Sequence, residues 1–331
     1  MTMYHQFLLL QEMLFETKPI YNLETIGDGK YTFTIMNRQP DIKKVMILAR
    51  GLGTRMQKQV EGIKLDPTTS KLANHGLKGL ILVGRPFLDH LLQSLLDVGI
   101  TDICLIVAPG NSPIRDYYEA VAEQNKENFR ITFAVQTEPL GTADAVYAGR
   151  YWAGSDSFIV LNSDNYYTPS ALRQLRQAPA PAMVAFDRDA LIDKSNIPKE
   201  RISKFAVIDL DQTGCVKRIV EKPENPDEYA HDGKLYVSMN CFLLTQEIFK
   251  ACESIEPHPI RKEYELPTAI QYSIDQMGLS YKAVKCDEPV LDLTGRTDIE
   301  KVREYLSDHR VTFAAPDTSV VLNKIDEEQT G

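Results

Sequence analysis

Charged side chains that could handle phosphate stand at strand-to-loop junctions along the chain. In Val45-Met-Ile-Leu-Ala-Arg-Gly-Leu-Gly-Thr-Arg-Met56 an apolar run opens into a loop with Gly51 and Gly53, followed by Thr54 and Arg55. Small residues let backbone N–H groups approach an oxygen-rich ligand, and the arginine adds a permanent charge with a planar donor fork. Met56 stands where a dinucleotide fingerprint needs its third glycine, and no Gly-Lys-Ser/Thr closes the loop as a P-loop would. Alone, the run fits a phosphate cradle or a structural glycine turn. Further on, Asp164 follows the apolar run Phe158 to Leu161, and Asp292 lies in Leu291-Asp292-Leu293. Carboxylates just past strand ends suit a hard divalent cation that also takes phosphate oxygens, although an isolated aspartate there is often a cap or turn residue. No serine, cysteine or histidine constellation for nucleophilic catalysis accompanies them.

Taken in order, these motifs resemble the sugar-1-phosphate nucleotidylyltransferases. The first run is similar to that family's L-A-x-G-x-G-T-R-M signature, and Gln136-Thr-Glu-Pro-Leu-Gly-Thr-Ala143 to its nucleoside loop. Leu161-Asn-Ser-Asp-Asn165 resembles its metal-carrying strand end, and Ile219-Val-Glu-Lys-Pro223 its sugar-phosphate motif. Glu263-Tyr-Glu-Leu-Pro-Thr-Ala269 and Val290-Leu-Asp-Leu293 complete the series. The resemblance covers about Lys44 to Leu306. It implies transfer of a nucleotidyl group from a nucleoside triphosphate to a sugar 1-phosphate, or a cyclitol phosphate like one, with release of pyrophosphate and dependence on Mg²⁺.

The resemblance also implies roles. Arg55, Lys78 and Lys222 would be catalytic, with Arg55 on the β- and γ-phosphates and Lys222 on the sugar phosphate. Leu48, Ala49, Gly51, Gly53, Thr54, Gln136, Pro139, Gly141 and Thr142 would hold the nucleotide. Gln136 would read a base edge with its amide, and Gly141 would let that edge approach the backbone. Glu221, Asn240 and Glu263 would contact the sugar, and Asp164 with Asp292 would hold the metal. The chain departs from the family at several points. Arg50 replaces a small residue, Ala206 stands where glycine is common, and Asp292 lacks the usual aromatic before it and glycine after it. Gln57 to Asn74 is inserted ahead of Lys78. The insertion and Arg50 lean toward a purine, guanylyl transfer in particular. Pro67-Thr-Thr-Ser70 reads as loop, either a lid over the phosphates or a surface excursion. Two other readings are a nucleotide-sugar-binding regulatory relative without activity and a glycosyltransferase of the same architecture.

The elements that must position these residues follow from periodicity. Strand-like runs at Ile103–Ala108, Ile131–Val135, Phe158–Leu161 and Met183–Phe186 alternate with helical stretches such as Pro86–Val98. That predicts an α/β, Rossmann-like, mostly parallel mixed sheet with helices on both faces, of the nucleotide-diphospho-sugar transferase type. Phe205–Leu210 and Val216–Val220 flank Asp211-Gln-Thr-Gly214 as a hairpin, and the helix from about Arg296 to Leu306 closes the core. The expected domains are an N-terminal extension at 1–42, a transferase domain at 43–310 and a tail at 311–331. The extension contains a helical stretch (Tyr4–Phe15) and a hairpin about Gly27-Asp28-Gly29; it would serve extra packing or self-association.

With 331 residues, 43% of them hydrophobic, the chain can bury a full α/β core. The net charge of −9 argues against a nucleic-acid partner. Five scattered cysteines without C-x-x-C spacing, and no apolar run of membrane-spanning length, point to reduced thiols and a cytoplasmic setting.

Overall fold

The apolar runs form the strands because they are buried on both faces. In Lys44–Leu48, Val45 and Ile47 enter one side-chain cluster while Met46 enters another; Asp102–Val107 likewise sends Ile103, Leu105 and Val107 one way and Cys104 and Ile106 the other. This period-two alternation with apolar residues on both sides requires cover on both faces. Helix Phe87–Leu96 covers the first face with Phe87, Leu88, Leu91, Leu92 and Leu95. Helices Thr142–Ala148, Glu247–Ser254 and Leu266–Asp275 cover the second.

The computed structural model describes residues 20–25, 31–36, 41–110 and 112–319, together with 322 and 325. The chain divides into two compact units after Asp41. In the first, Ile20–Thr25 pairs antiparallel with Tyr31–Met36, as the expected hairpin requires. The stretch Tyr4–Phe15, the Gly27-Asp28-Gly29 turn and the acidic residues 326–328 lie outside the described residues.

Among the described residues of the second unit, ten strands share one mixed sheet. Lys44–Leu48 lies between Asp102–Val107 and Phe158–Asn162, parallel to both, and Arg130–Val135 extends the parallel side. Beyond Phe158–Asn162 comes Phe242–Leu244, antiparallel, then Ala182–Asp187, Tyr236–Val237 and the hairpin Val207–Leu210/Val216–Val220 at the far edge. Lys282–Cys286 pairs parallel to Ala182–Asp187. Because the parallel strands run side by side, their carboxyl ends place the loops after Leu48, Val107 and Asn162 along one crevice.

Two segments differ from their sequence reading. Pro67–Asn74 is a helix rather than a loop. Asp66 caps it, its Oδ1 accepting from the Thr69 N–H at 2.9 Å, with Pro67 in the first turn. Proline and small hydroxyl residues suit a helix start as well as a loop, and the buried Thr69, Leu72 and Ala73 fix the outcome. The core also continues past Arg310, where a tail was expected. Phe313 is buried, edge-on to Phe129 at 5.6 Å and beneath the Arg85 guanidinium.

The same C-terminal stretch brings His309 against His90, Nδ1 to Nδ1 at 3.0 Å, with Tyr166 edge-on to His309. Burial, and then His309, push His90 down to about 4 from its ordinary 6.5. The native state therefore binds fewer protons than the unfolded chain between these values. The stability this gives is complete above about pH 6.5 and is lost as pH falls toward 4. Urea unfolding at pH 7.5 and pH 5 should show wild type losing about 2 kcal/mol more than His90→Gln over that interval. Equal losses would exclude the pair as the cause.

All five cysteines are unpaired thiols. Burial pushes Cys104 and Cys252 up to about 12 and Cys286 up to about 11, so these sulfurs stay protonated and unreactive. Among the described residues no helix is long and apolar enough to cross a membrane.

Candidate active site

A cleft of about 490 Å³ opens at the strand ends. Leu48, Ala49, Gly51, Gly53, Thr54, Arg55 and Lys78 line it from the first loop and its neighbour. Gln136, Pro139, Gly141, Thr142 and Glu263 line it from the nucleoside-loop side, and Asp164 joins them. Arg50, Arg55 and Lys78 give the cleft a cationic character that the chain's overall charge conceals.

The first loop is shaped by backbone contact. Gly53 has φ 61° and Gly76 φ 69°; a Cβ on Gly53 would lie 2.2 Å from the Gly76 carbonyl oxygen, and one on Gly76 would lie 2.4 Å from that of Leu52. Only glycine permits both the left-handed backbone and the approach. The contact delivers Lys78 to the loop of Arg55 despite the insertion. Arg296 anchors the insertion's two ends, donating to the Met56 carbonyl at 2.9 Å and to Asn74 Oδ1 at 2.6 Å.

Lys78 Nζ donates to Asp164 Oδ2 at 2.8 Å, with side chains 15% and 24% exposed. Asp164 occupies the turn between Phe158–Asn162 and Asn165–Tyr167. The strand Val290–Asp292 pairs antiparallel with Asn165–Tyr167, setting Asp292 opposite Asn165, and the Leu293 N–H donates to the Asp164 carbonyl at 2.8 Å. The two aspartates are thus neighbours. Asp292 is buried; burial, and then the Asp164 charge, push its carboxyl above its ordinary value.

What holds Asp292 was not visible in the motifs. Thr294 Oγ1 donates to its Oδ1 at 2.5 Å, and Arg201 Nη1 donates to its Oδ2 at 3.0 Å. Asn196 exchanges two hydrogen bonds with its backbone, at 2.9 and 2.8 Å. Arg201 also binds Asp298, which accepts in turn from the Thr294 and Gly295 N–H groups. Thr294 lay close enough in sequence to be noticed. Arg201 and Asn196, on a distant segment, gave no local signal.

On the nucleoside side the Gln136 side chain is buried, and both Nε2 hydrogens are engaged: to the Gly141 carbonyl at 2.9 Å and to Asp144 Oδ2 at 2.8 Å. Its amide therefore offers an acceptor to a base but no donor. Gly141 has φ 108°, and a Cβ there would lie 2.5 Å from the Tyr264 carbonyl. A protein contact therefore requires glycine here, and the residue also lines the cleft. The Tyr264 N–H donates to the Leu140 carbonyl at 2.6 Å, and the Leu266 N–H to Thr142 Oγ1 at 2.8 Å. These bonds seat Glu263 beside the nucleoside loop.

Glu221, Lys222 and Asn240 do not line this cleft. Glu221 and Lys222 are exposed past the end of the edge hairpin, and Asn240 follows Tyr236–Val237. Lys222 and Asn240 both hold positive φ, 44° and 53°. For lysine that backbone is a strained one, of the kind that concentrates at functional loops.

A mixed α/β sheet with a glycine-shaped, cationic loop at its strand ends, Asp164 in the same cleft and Asp292 next to Asp164, defines a phosphate-handling cleft. Residues 44–307 match the nucleotidyl transferase family. The chain belongs to that family, which is the family of the sugar-1-phosphate nucleotidylyltransferases. It is similar to a glucose-1-phosphate thymidylyltransferase of Streptomyces antibioticus, 31% identical over 70% of this chain and 57% of that protein. It therefore spans little more than half the length of that relative. A UTP–glucose-1-phosphate uridylyltransferase of Haloferax volcanii is 24% identical over 80% of this chain and 97% of its own. The fold is that of the inositol-1-phosphate CTP transferase from T. maritima, with a TM-score of 0.60 at 17% identity, covering 83% of this chain and 100% of that one. The three names carry three different bases, so family membership leaves the base open.

Proposed function

We propose that this protein is a Mg²⁺-dependent sugar-1-phosphate nucleotidylyltransferase. The observation that carries the reading is the Lys78–Asp164 pair beside the Gly51–Arg55 loop, with Asp292 next to it. In the reaction an oxygen of the sugar 1-phosphate attacks the α-phosphorus of the triphosphate. The bond from that phosphorus to the bridging oxygen breaks, and pyrophosphate leaves. A phosphomonoester is already anionic at neutral pH, so positioning and charge compensation dominate over proton transfer. Arg55 is exposed and has no ion pair among the described residues, which suits it to the β- and γ-phosphates. Lys78 reaches the same end and neutralises charge gathering on the leaving group.

Asp164 and Asp292 suit Mg²⁺: two adjacent carboxylates supply hard oxygens, and Asp164 Oδ1 accepts no bond from the described residues. With fewer than three such side chains grouped, water and substrate phosphates would complete the shell. The ion would offset phosphate charge when bound. We assign the sugar phosphate to Lys222, with Glu221 on its hydroxyls, on the strained lysine at the hairpin's end, which has no ion pair among the described residues. The unpaired, mostly buried thiols fit a cytoplasmic setting.

Incubation with Mg²⁺, each of four nucleoside triphosphates and a panel of sugar and cyclitol phosphates should release pyrophosphate for at least one pair. Silence across the whole matrix would favour a binding-only relative. Transfer from an NDP-sugar instead would mark a glycosyltransferase. In the active pair, Lys222→Ala should raise the KM for sugar phosphate about tenfold or more and leave that for triphosphate near its original value. The reverse pattern would undo the assignment of Lys222.

A further inference from the structure

Arg50 lines the cleft and reaches across to the nucleoside loop. Its Nε donates to the Gln136 carbonyl at 3.1 Å and its Nη2 to the Thr137 carbonyl at 3.4 Å. These bonds fix the guanidinium plane and use two of its N–H donors. The remaining donors, both on Nη1 and one on Nη2, have no acceptor among the described residues. The neighbouring Gln136 amide is fixed as well. Gly141 O and Asp144 Oδ2 are both acceptors, so they hold Nε2 toward themselves and leave Oε1 as the atom available to a ligand. This end of the cleft thus presents cationic donors beside one neutral acceptor, the two joined through the Gln136 main chain.

We propose that Arg50 determines nucleotide specificity, selecting bases that carry a keto oxygen next to a ring N–H. The proposal rests on the reading of the cleft as a nucleoside triphosphate site. Guanine, hypoxanthine and uracil have that edge. Their oxygen accepts from the guanidinium, and their N–H donates to Gln136 Oε1. Adenine and cytosine carry an amino group in place of the oxygen and a bare nitrogen in place of the N–H. The guanidinium then meets a donor and Oε1 meets a lone pair. Two polar mismatches, one of them at the buried Gln136 amide, disfavour these bases. Purines with a 6-keto group gain further, because O6 and N7 stand side by side and a guanidinium bridges both.

The test is calorimetric binding of GTP, ITP, UTP, ATP and CTP, each with Mg²⁺, to the full chain, followed by pyrophosphate release with each. Wild type should bind GTP and ITP tightest and UTP next, with ATP and CTP weaker by roughly 10- to 100-fold. In Arg50→Ala the gap between GTP and ATP should shrink to about threefold or less, through weaker GTP binding, with the sugar-phosphate KM unchanged. Arg50→Lys should restore charge without the planar fork, strengthening all triphosphates alike and leaving the ranking lost. Uniform weakening of all five in Arg50→Ala would make Arg50 a phosphate ligand and overturn the proposal. A ranking that survives the substitution, or a wild type that prefers ATP or CTP, overturns it too. If no triphosphate binds wild type, the nucleotidyl-transfer reading itself fails.

Discussion

Asp164→Asn should lower turnover by roughly 10²–10³-fold while the protein stays folded. The side chain is 24% exposed, and its carboxylate has Lys78 as its partner at 2.8 Å, so an isosteric amide fits the turn without leaving a cavity. What changes is charge. The site loses the more accessible of its two carboxylates, and Lys78 loses the anion that aims it into the cleft. Asp292 alone cannot make up the loss, because it is buried and each of its oxygens already accepts one hydrogen bond, from Thr294 or Arg201, which leaves it fewer open positions for a cation. Triphosphate binding should survive, since a carboxylate near phosphates is repulsive until a cation intervenes. The measurement is kcat for pyrophosphate release set beside calorimetric triphosphate affinity, with unfolding checked by circular dichroism. Near-wild-type turnover from the folded variant would remove Asp164 from the chemistry.

Asp164 was legible in the sequence because a strand end and its first loop residue are adjacent along the chain. The same holds for the Gly51–Arg55 loop, for Gln136 and for the hairpin ahead of Glu221. In each, an apolar run sets the strand, and parallel packing then gathers the loops at one edge. Legibility ended where a residue's reason lay on another segment. Gly141 looked like an opening for a base, yet the Tyr264 backbone more than a hundred residues later dictates it. Gln136 looked able to donate, but Asp144 and Gly141 already hold its hydrogens. The helix Pro67–Asn74 had its N-cap written in Asp66-Pro67, and the composition of Pro67-Thr-Thr-Ser70 concealed it. Motif order placed Lys222 in the series without saying how far along the sheet the hairpin stands from the cleft. Phe313 lay beyond the last periodic helix and could not be assigned a partner from spacing.

Arg201 is the clearest case of a residue invisible in sequence with a large expected effect. Arg201→Gln should destabilise the fold by about 2 kcal/mol or more, because removing one member of a buried ionic cluster leaves its partners uncompensated. Those partners are Asp292 and Asp298, with side chains 8% and 4% exposed; Arg201 itself is 25% exposed, so solvent softens the loss. Glutamine can hold one hydrogen bond but not the pair of carboxylates that the guanidinium bridges. Asp298 keeps its bonds from the Thr294 and Gly295 N–H groups, so the penalty should fall mainly on Asp292, where burial and Asp164 already oppose ionisation. Replacing the uncompensated charge should then recover stability. Asp292→Asn in the Arg201→Gln background is expected to be more stable than Arg201→Gln alone, although Asp292→Asn in wild type is destabilising. Urea unfolding of the four proteins gives the coupling directly, with about 1 kcal/mol or more expected. Additive effects would mean that Arg201 and Asp292 are adjacent without depending on each other.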